Sequence, residues 1–259
     1  MKTVTECHFT GIIPARYASS RFPGKPLAII GKKTMIQHVY EKACMALSSV
    51  FVATDDKRIE DAVKTFGGNV IMTLPGHRSG TDRCAEAALK IERETGTKPE
   101  IIINIQGDEP FIMPRQIKLL TSCFDDPGVE IATLIREVEK DEDLFNPNHP
   151  KVVVSFNGDA IYFSRSVIPY FRDADKDHWQ EKHTYFKHLG IYGYKTGTLL
   201  KITAIRQSPL EIAESLEQNR WLENGFRIRT AVTPWESIGI DTPADLEKAR
   251  EFYVNNIDN

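Results

Sequence analysis

Cysteine is scarce: four in 259 residues, at positions 7, 44, 84 and 123. None forms a CxxC pair or stands at zinc-ligand spacing from a histidine, which excludes a disulfide scaffold and a cysteine-based zinc site. The expectation is of reduced, mostly buried thiols in a cytoplasmic protein. No apolar run approaches ~20 residues, and the N-terminus lacks the apolar core of a signal peptide, so the chain is expected neither to span nor to cross a membrane. A basic excess is also missing, because the formal net charge is −3. That argues against nucleic acid or an anionic membrane as partner, and any anionic ligand must be met by locally concentrated positive charge. There is no GxGxxG fingerprint, and Ser19 stands where a Walker A loop has its first glycine. Repeats, low-complexity tracts and linkers are absent too.

With 41% hydrophobic residues, the chain can bury a sizeable core. The first half alternates short apolar runs with longer amphipathic ones. Strands are expected at 9–13, 50–54, 69–73 and 101–106, and helices at 35–47, 56–66, 81–94 and 114–124. Continuously apolar strands alternating with helices predict an α/β fold with a mainly parallel, Rossmann-like sheet covered on both faces. In the second half, 152–155 and 160–163 predict a hairpin around Asn157-Gly158. Residues 172–182 read as a polar, mobile loop, and 186–194 as a strand. Ser208-Pro209-Leu210-Glu211 is a capping box that opens a helix to about Glu223. A strand at 227–232 and a last helix capped by Thr242 complete the chain. The economical organisation is one domain over 1–259, with 151–206 as an insertion.

Ligands of open parallel sheets bind outside the carboxyl ends of the strands. After the first strand, Arg16, Arg21 and Lys25 lie in one loop with Gly24, a concentration of charge that suits a triphosphate and equally describes a solvated basic loop. After the fourth, Gln106-Gly107-Asp108-Glu109-Pro110 offers a carboxylate beside a glycine. Asp108 fits a hard cation such as magnesium, or simply a type I turn. Asp241 has a similar placement before the Thr242 cap, where the charge of a helix N-terminus is the other explanation. The loop 77–82 leads into a helix and reads first as an ordinary cap, although its hydroxyls and N–H groups also suit a base or a phosphate. His188 and Tyr192 share one face of their strand. Glu217 falls on the apolar stripe of its predicted helix, where a structural salt bridge is the default.

Together these segments resemble the 3-deoxy-D-manno-octulosonate (KDO) cytidylyltransferases, the CMP-KDO synthetases. The resemblance covers nearly the whole chain: IIPARYASSRFPGKPL at 12–27, VATDD at 52–56, SGTDR at 79–83, NIQGDEP at 104–110 and FNPN at 145–148. It continues through YFSR at 162–165, HLGIYGY at 188–194, SPLE at 208–211, LEQNR at 216–220 and GIDTPADLEKAR at 239–250.

That resemblance implies a nucleotide-diphospho-sugar transferase type of fold, magnesium dependence and transfer of CMP from CTP to KDO with release of pyrophosphate, for lipopolysaccharide biosynthesis in a Gram-negative bacterium. It also implies a homodimer built through the second-half insertion. By motif position, Arg16, Arg21 and Lys25 contact the triphosphate, with Ala15, Ser79, Gly80 and Thr81 around the cytosine. Asp108 and Asp241 hold magnesium, and Lys25, Arg16 and Asp108 carry the catalysis. Gln106, Arg165, His188, Tyr192, Glu217 and Gln218 surround the sugar acid. The charged stretch 173–181 matches nothing in the family pattern. Besides a non-catalytic nucleotide-binding module, two rival enzymes stand beside this reading. One is a cytidylyltransferase for another acidic sugar, such as 8-amino-KDO or a sialic-acid-like sugar. The other is a metal-dependent glycosyltransferase using Asp173-Ala-Asp175.

Overall fold

The computed structural model describes residues 8–18, 21–139, 144–236 and 239–256, so Cys7, Ser19, Ser237 and Ile238 lie outside the described residues. The chain opens with β1 (Phe9–Ala15), the short pair β2 (Ile29–Ile30) and β3 (Lys33–Thr34), and α1 (Met35–Cys44). It continues through β4 (Ser49–Thr54), α2 (Lys57–Thr65), β5 (Val70–Met72), α3 (Gly80–Thr95), β6 (Ile101–Asn104) and α4 (Pro114–Ser122). Next come β7 (Ile131–Glu137), β8 (Lys151–Val154), β9 (Ala160–Ser164), α5 (Trp179–Lys182) and β10 (Phe186–Lys195). The last elements are α6 (Thr196–Thr203), α7 (Pro209–Glu214), α8 (Glu217–Glu223), β11 (Arg229–Val232) and α9 (Pro243–Asn256). They group into two compact units, one within 1–118, 195–200 and 237–259, the other within 119–194 and 201–236. No helix of the described residues is long and apolar enough to cross a membrane.

In the first unit, β6, β1, β4 and β5 are parallel neighbours, with Ile12 of β1 opposite Phe51 of β4 and Asn104 of β6. Ile12, Ile13, Val52, Ile102 and Ile103 are fully buried, the pattern of strands covered on both faces. The helices start at side-chain caps. The Thr34 hydroxyl accepts from Gln37 N–H, the Asp56 carboxylate from Arg58 N–H, and Ser79 forms a reciprocal capping box with Asp82. A separate apolar cluster of Ile30, Met35, Phe111, Ile240, Leu246 and Ala249 seats α9.

The second unit has a mixed sheet. β11 pairs parallel with β7, while β7–β10, β10–β8 and β8–β9 are antiparallel. The predicted hairpin is the β8–β9 pair. Four points depart from expectation. Strand β7 is not among the expected strands, although six of its seven residues are buried. Its Thr133 and Arg136 break the apolar run, yet both are satisfied inside, Thr133 by Ile191 O and Arg136 by Pro234 O.

The helix expected from Ser208 to Glu223 is two helices. Ser215 adopts left-handed backbone, φ 51° and ψ 45°, which ends α7 and turns the chain into α8. Residues 172–182 are not an irregular polar loop. They form a 3-10 turn (Lys176–His178) followed by α5, anchored by Trp179, which is 3% exposed against Val138, Leu144 and Tyr185 and donates its indole N–H to Ala174 O. Of the three described cysteines only Cys84 is buried, while Cys123 is intermediate and Cys44 exposed.

Candidate active site

The site belongs to the first unit and is built at the carboxyl ends of β1 and β6. A Cβ on Gly107 would lie 2.9 Å from the carbonyl oxygen of Pro14, so only glycine lets the segment after β6 pass against the end of β1. The basic loop after β1 closes on itself through Gly24, whose φ of 73° turns its N–H onto Tyr17 O at 2.8 Å. Tyr17 is in turn covered by the Arg58 guanidinium, 3.2 Å above its ring. This fold-back delivers Lys25 at the start of a 3-10 turn, with its side chain only 13% exposed.

Lys25 Nζ stands 2.7 Å from Asp108 Oδ2 and 3.2 Å from Asp241 Oδ1. Arg21 reaches the same Asp241 oxygen at 3.1 Å, an exposed pair of small energetic weight. The two acidic segments are tied by the backbone, since Ile240 N–H donates to Asp108 O at 2.9 Å. The competing explanation for Asp241, service to the N-terminus of α9, is met by another residue. Asp245 accepts from Asp241 N–H, Thr242 N–H and the Thr242 hydroxyl. Burial alone would raise the Asp245 pKa, but these bonds hold it below the usual carboxylate range. Likewise the turn at 106–109 closes by backbone, Glu109 N–H to Gln106 O, leaving the Asp108 side chain for Lys25.

Two carboxylates held on one ammonium have the donor chemistry of a magnesium site, which takes one or two carboxylates and completes its shell with phosphate oxygens and water. Among the described residues no group of three or more His, Cys, Asp or Glu forms a fuller cage. The residues fit the metal that the sequence reading expects.

These groups open onto a cavity of about 240 Å³. Of the residues expected at the nucleotide, Ala15, Arg16, Arg21, Lys25, Ser79 and Gly80 line it, as do Gln106, Asp108 and Asp241. Thr81 does not; it is 3% exposed inside α3. His77 and Arg78, from the loop 77–82, and Arg83 join the wall, although none of the three is among the residues expected at the site. Arg83 is buried, bonding Thr73 Oγ1 at 2.5 Å and lying 3.3 Å from Asp55. Its signal was present in the SGTDR segment, while Arg78 sits exposed in a loop that read as a plain cap. A wall rich in arginine and lysine with two carboxylates at its rim suits a polyanion that arrives with a divalent cation.

The remaining predicted residues belong to the second unit. The Thr133 hydroxyl donates to Ile191 O at 2.7 Å, so its oxygen accepts from His188 Nε2 at 3.0 Å. Although some of the His188 surface stays open, burial pulls its pKa down to about 3. The ring is therefore neutral, with Nδ1 left as an acceptor. Tyr192 packs 5.1 Å from both His188 and Trp221, ring centre to ring centre. Burial, then the charge of Glu217, pushes the Tyr192 pKa well above its usual range, and its hydroxyl has no hydrogen-bond partner among the described residues. Gln218 Nε2 is likewise buried without a partner. Glu217 is not on a continuous helical stripe; it opens α8 and pairs with Arg220 at 2.7 Å. Arg165 donates its guanidinium to the carbonyls of Pro147, Glu214 and Ser215, which ties loops together.

A family model described as cytidylyltransferase matches residues 10–238. The chain belongs to the cytidylyltransferase family. Its family relatives include a 3-deoxy-manno-octulosonate cytidylyltransferase of Bacteroides thetaiotaomicron, 56% identical over 95% of this chain and 98% of the relative. Another, from Thermodesulfovibrio yellowstonii, is 48% identical over 93% and 96%. A solved CMP:2-keto-3-deoxy-manno-octonic acid synthetase complexed with CTP superposes with a TM-score of 0.88 at 44% identity, covering 96% of this chain and 100% of that one. A cytidylyltransferase from Leptospira borgpetersenii shares the fold alone, at 19% identity and TM-score 0.60 over 96% and 87%. The mainly parallel nucleotide-binding fold expected from the sequence is thus borne out.

Proposed function

We propose that this enzyme transfers CMP from CTP to the anomeric hydroxyl of KDO, giving CMP-KDO and pyrophosphate. The observation that carries this reading is the meeting of Lys25, Asp108 and Asp241 at the rim of an arginine-lined cavity, in a chain 44% identical to a synthetase complexed with CTP.

In the reaction, the anomeric oxygen forms a bond to the α-phosphorus while the bond from that phosphorus to the β-phosphate oxygen breaks. The sugar hydroxyl releases its proton to solvent. Such transfers depend mainly on positioning and charge neutralisation. Arg16, Arg21 and Lys25 stabilise the charge growing on the departing pyrophosphate. Asp108 and Asp241 hold magnesium, which when bound supplies neutralisation of the phosphate oxygens and acidification of the attacking hydroxyl. Ala15, Ser79 and Gly80 receive the cytosine. The sugar acid is assigned to His188, Tyr192, Glu217 and Gln218; a neutral imidazole acceptor and two unpartnered buried polar groups support this, because such groups are costly without a ligand or water. The same reading carries a homodimer through the second-half insertion, for which Phe156 and Ile161 supply exposed apolar surface.

Pyrophosphate release with CTP or UTP, with and without KDO, tests the reading. Release is expected only with CTP, KDO and magnesium together. Turnover on CTP with 8-amino-KDO in preference to KDO, or no turnover on any sugar acid, would overturn it.

A further inference from the structure

Glu86 is absent from every motif above, yet it holds one side of the cavity in place. It lies on α3, and its carboxylate takes donors from three directions. Oε2 accepts from Leu74 N–H at 2.9 Å and from His77 Nε2, while Oε1 accepts from Lys90 Nζ at 2.8 Å. Lys90 is itself tied to Met72 O at 2.7 Å. Leu74 and His77 belong to the segment between β5 and α3, whose last residues, His77, Arg78 and Ser79, form cavity wall together with Gly80 at the start of α3.

The segment is therefore pinned at two places. Glu86 holds residues 74 and 77, and Asp82 holds Ser79 through the capping box. The second pin is ordinary helix capping. The first is not, because Glu86 lies well past the helix start and reaches back to order a loop. The Glu86 side chain is only 17% exposed. Burial alone would raise its pKa, but the bonds from Lys90, Leu74 N–H and His77 hold it near 2, so the carboxylate stays ionised and accepting at any working pH. A charged acceptor taking several donors is the stronger kind of hydrogen-bonded anchor.

We infer that Glu86 is a positioning residue for nucleotide recognition: through Leu74 and His77 it fixes the wall from His77 to Gly80 against which the base of CTP is held. This rests on the proposed CTP reading. It requires that loss of Glu86 weaken the nucleotide selectively. A residue that only supports the fold lowers the fraction of active enzyme, and with it kcat, leaving both KM values alone. A residue that orders the nucleotide wall raises KM for the nucleotide.

The test is Glu86→Gln in the full chain, with KM for CTP, KM for KDO and kcat measured beside amide exchange over residues 74–80. KM for CTP is expected to rise roughly tenfold, with KM for KDO and kcat within about twofold, and exchange over 74–80 to quicken by at least tenfold while other segments are unchanged. Faster exchange without a change in the CTP constant would overturn the recognition role. Unchanged exchange would overturn the pinning. A wild-type enzyme that turns over no CTP would refute the functional reading, and the exchange result would still decide whether Glu86 orders the wall. If Glu86→Gln does not fold, His77→Ala removes the ring that Glu86 anchors and must show the same rise in KM for CTP; an unchanged constant there sinks the proposal.

Discussion

Ile240 donates its backbone N–H to the carbonyl of Asp108 at 2.9 Å, although 132 positions separate them in the sequence. Ile240 is fully buried in the cluster that seats α9, so the residue after it cannot drift. Asp241 is delivered beside Asp108, and both carboxylates meet one ammonium. The acidic pair is thus a product of core packing at the end of the chain, not of local sequence.

Asp108→Asn tests the pair directly. The amide keeps the shape and removes the charge, and charge neutralisation by a metal contributes several kcal/mol to transfer reactions. Turnover is expected to fall by at least about 10²-fold, at roughly 1.4 kcal/mol per factor of ten. The thermal midpoint and CTP binding should be little changed. Near-normal pyrophosphate release at saturating magnesium would remove Asp108 from the metal site.

Lys25 has a second consequence in this geometry. Its ammonium pairs with both carboxylates proposed to hold a divalent cation, and on that proposal the two compete when no nucleotide is present. With phosphates bound, Lys25 has other anions to pair with. Lys25→Met should abolish turnover yet tighten binding of Mn²⁺ to the nucleotide-free enzyme by roughly tenfold, the equivalent of about 1.4 kcal/mol. Electron paramagnetic resonance of free Mn²⁺ reads this without catalysis. An unchanged or weaker affinity would show that the ammonium does not shield the site.

The parallel half of the fold was legible because its strands are uninterrupted apolar runs that alternate with amphipathic helical stretches. What failed was long-range. Thr133 and Arg136 look like breaks in an apolar pattern until their partners at Ile191 and Pro234 are known. Ser215 carries no glycine or proline to announce a left-handed turn. At the site, Lys25, Asp108 and Asp241 stood out by position, whereas Glu86 looked like any charged residue on an exposed helix face. Its partners lie 9 and 12 residues back, across a loop whose path the sequence does not reveal.

Trp179 measures how far the stretch 172–182 departs from a mobile loop. Its indole is 3% exposed and packs with Val138, Leu144 and Tyr185. Truncating a buried tryptophan leaves a cavity and costs about 3–5 kcal/mol. Trp179→Ala should lose stability on that scale in urea unfolding, and proteolysis within 172–182 should accelerate. A loss below about 1 kcal/mol would mean the segment is not anchored through this side chain.

Acid should destabilise the protein through His188. Burial holds the ring's pKa near 3, whereas an unperturbed imidazole titrates near 6.5. Between these values the unfolded chain carries a proton on His188 that the native chain lacks, so stability rises with pH across that window. The contribution is fully present above about pH 6.5 and is lost as pH falls toward 3, at no more than about 1.4 kcal/mol per pH unit. Glu86, held near 2 against an ordinary 4.5, adds its own loss only below about 4.5. The interval from 6.5 to 4.5 therefore belongs to the histidine rather than to that carboxylate. His188→Gln keeps a donor for Thr133 Oγ1 and removes the titration. Urea unfolding of wild type and variant across this interval should give a shallower dependence on pH for the variant. Parallel slopes would mean that His188 is protonated as readily in the folded protein as in the unfolded chain, and its part as a neutral acceptor for the sugar acid would fall with it.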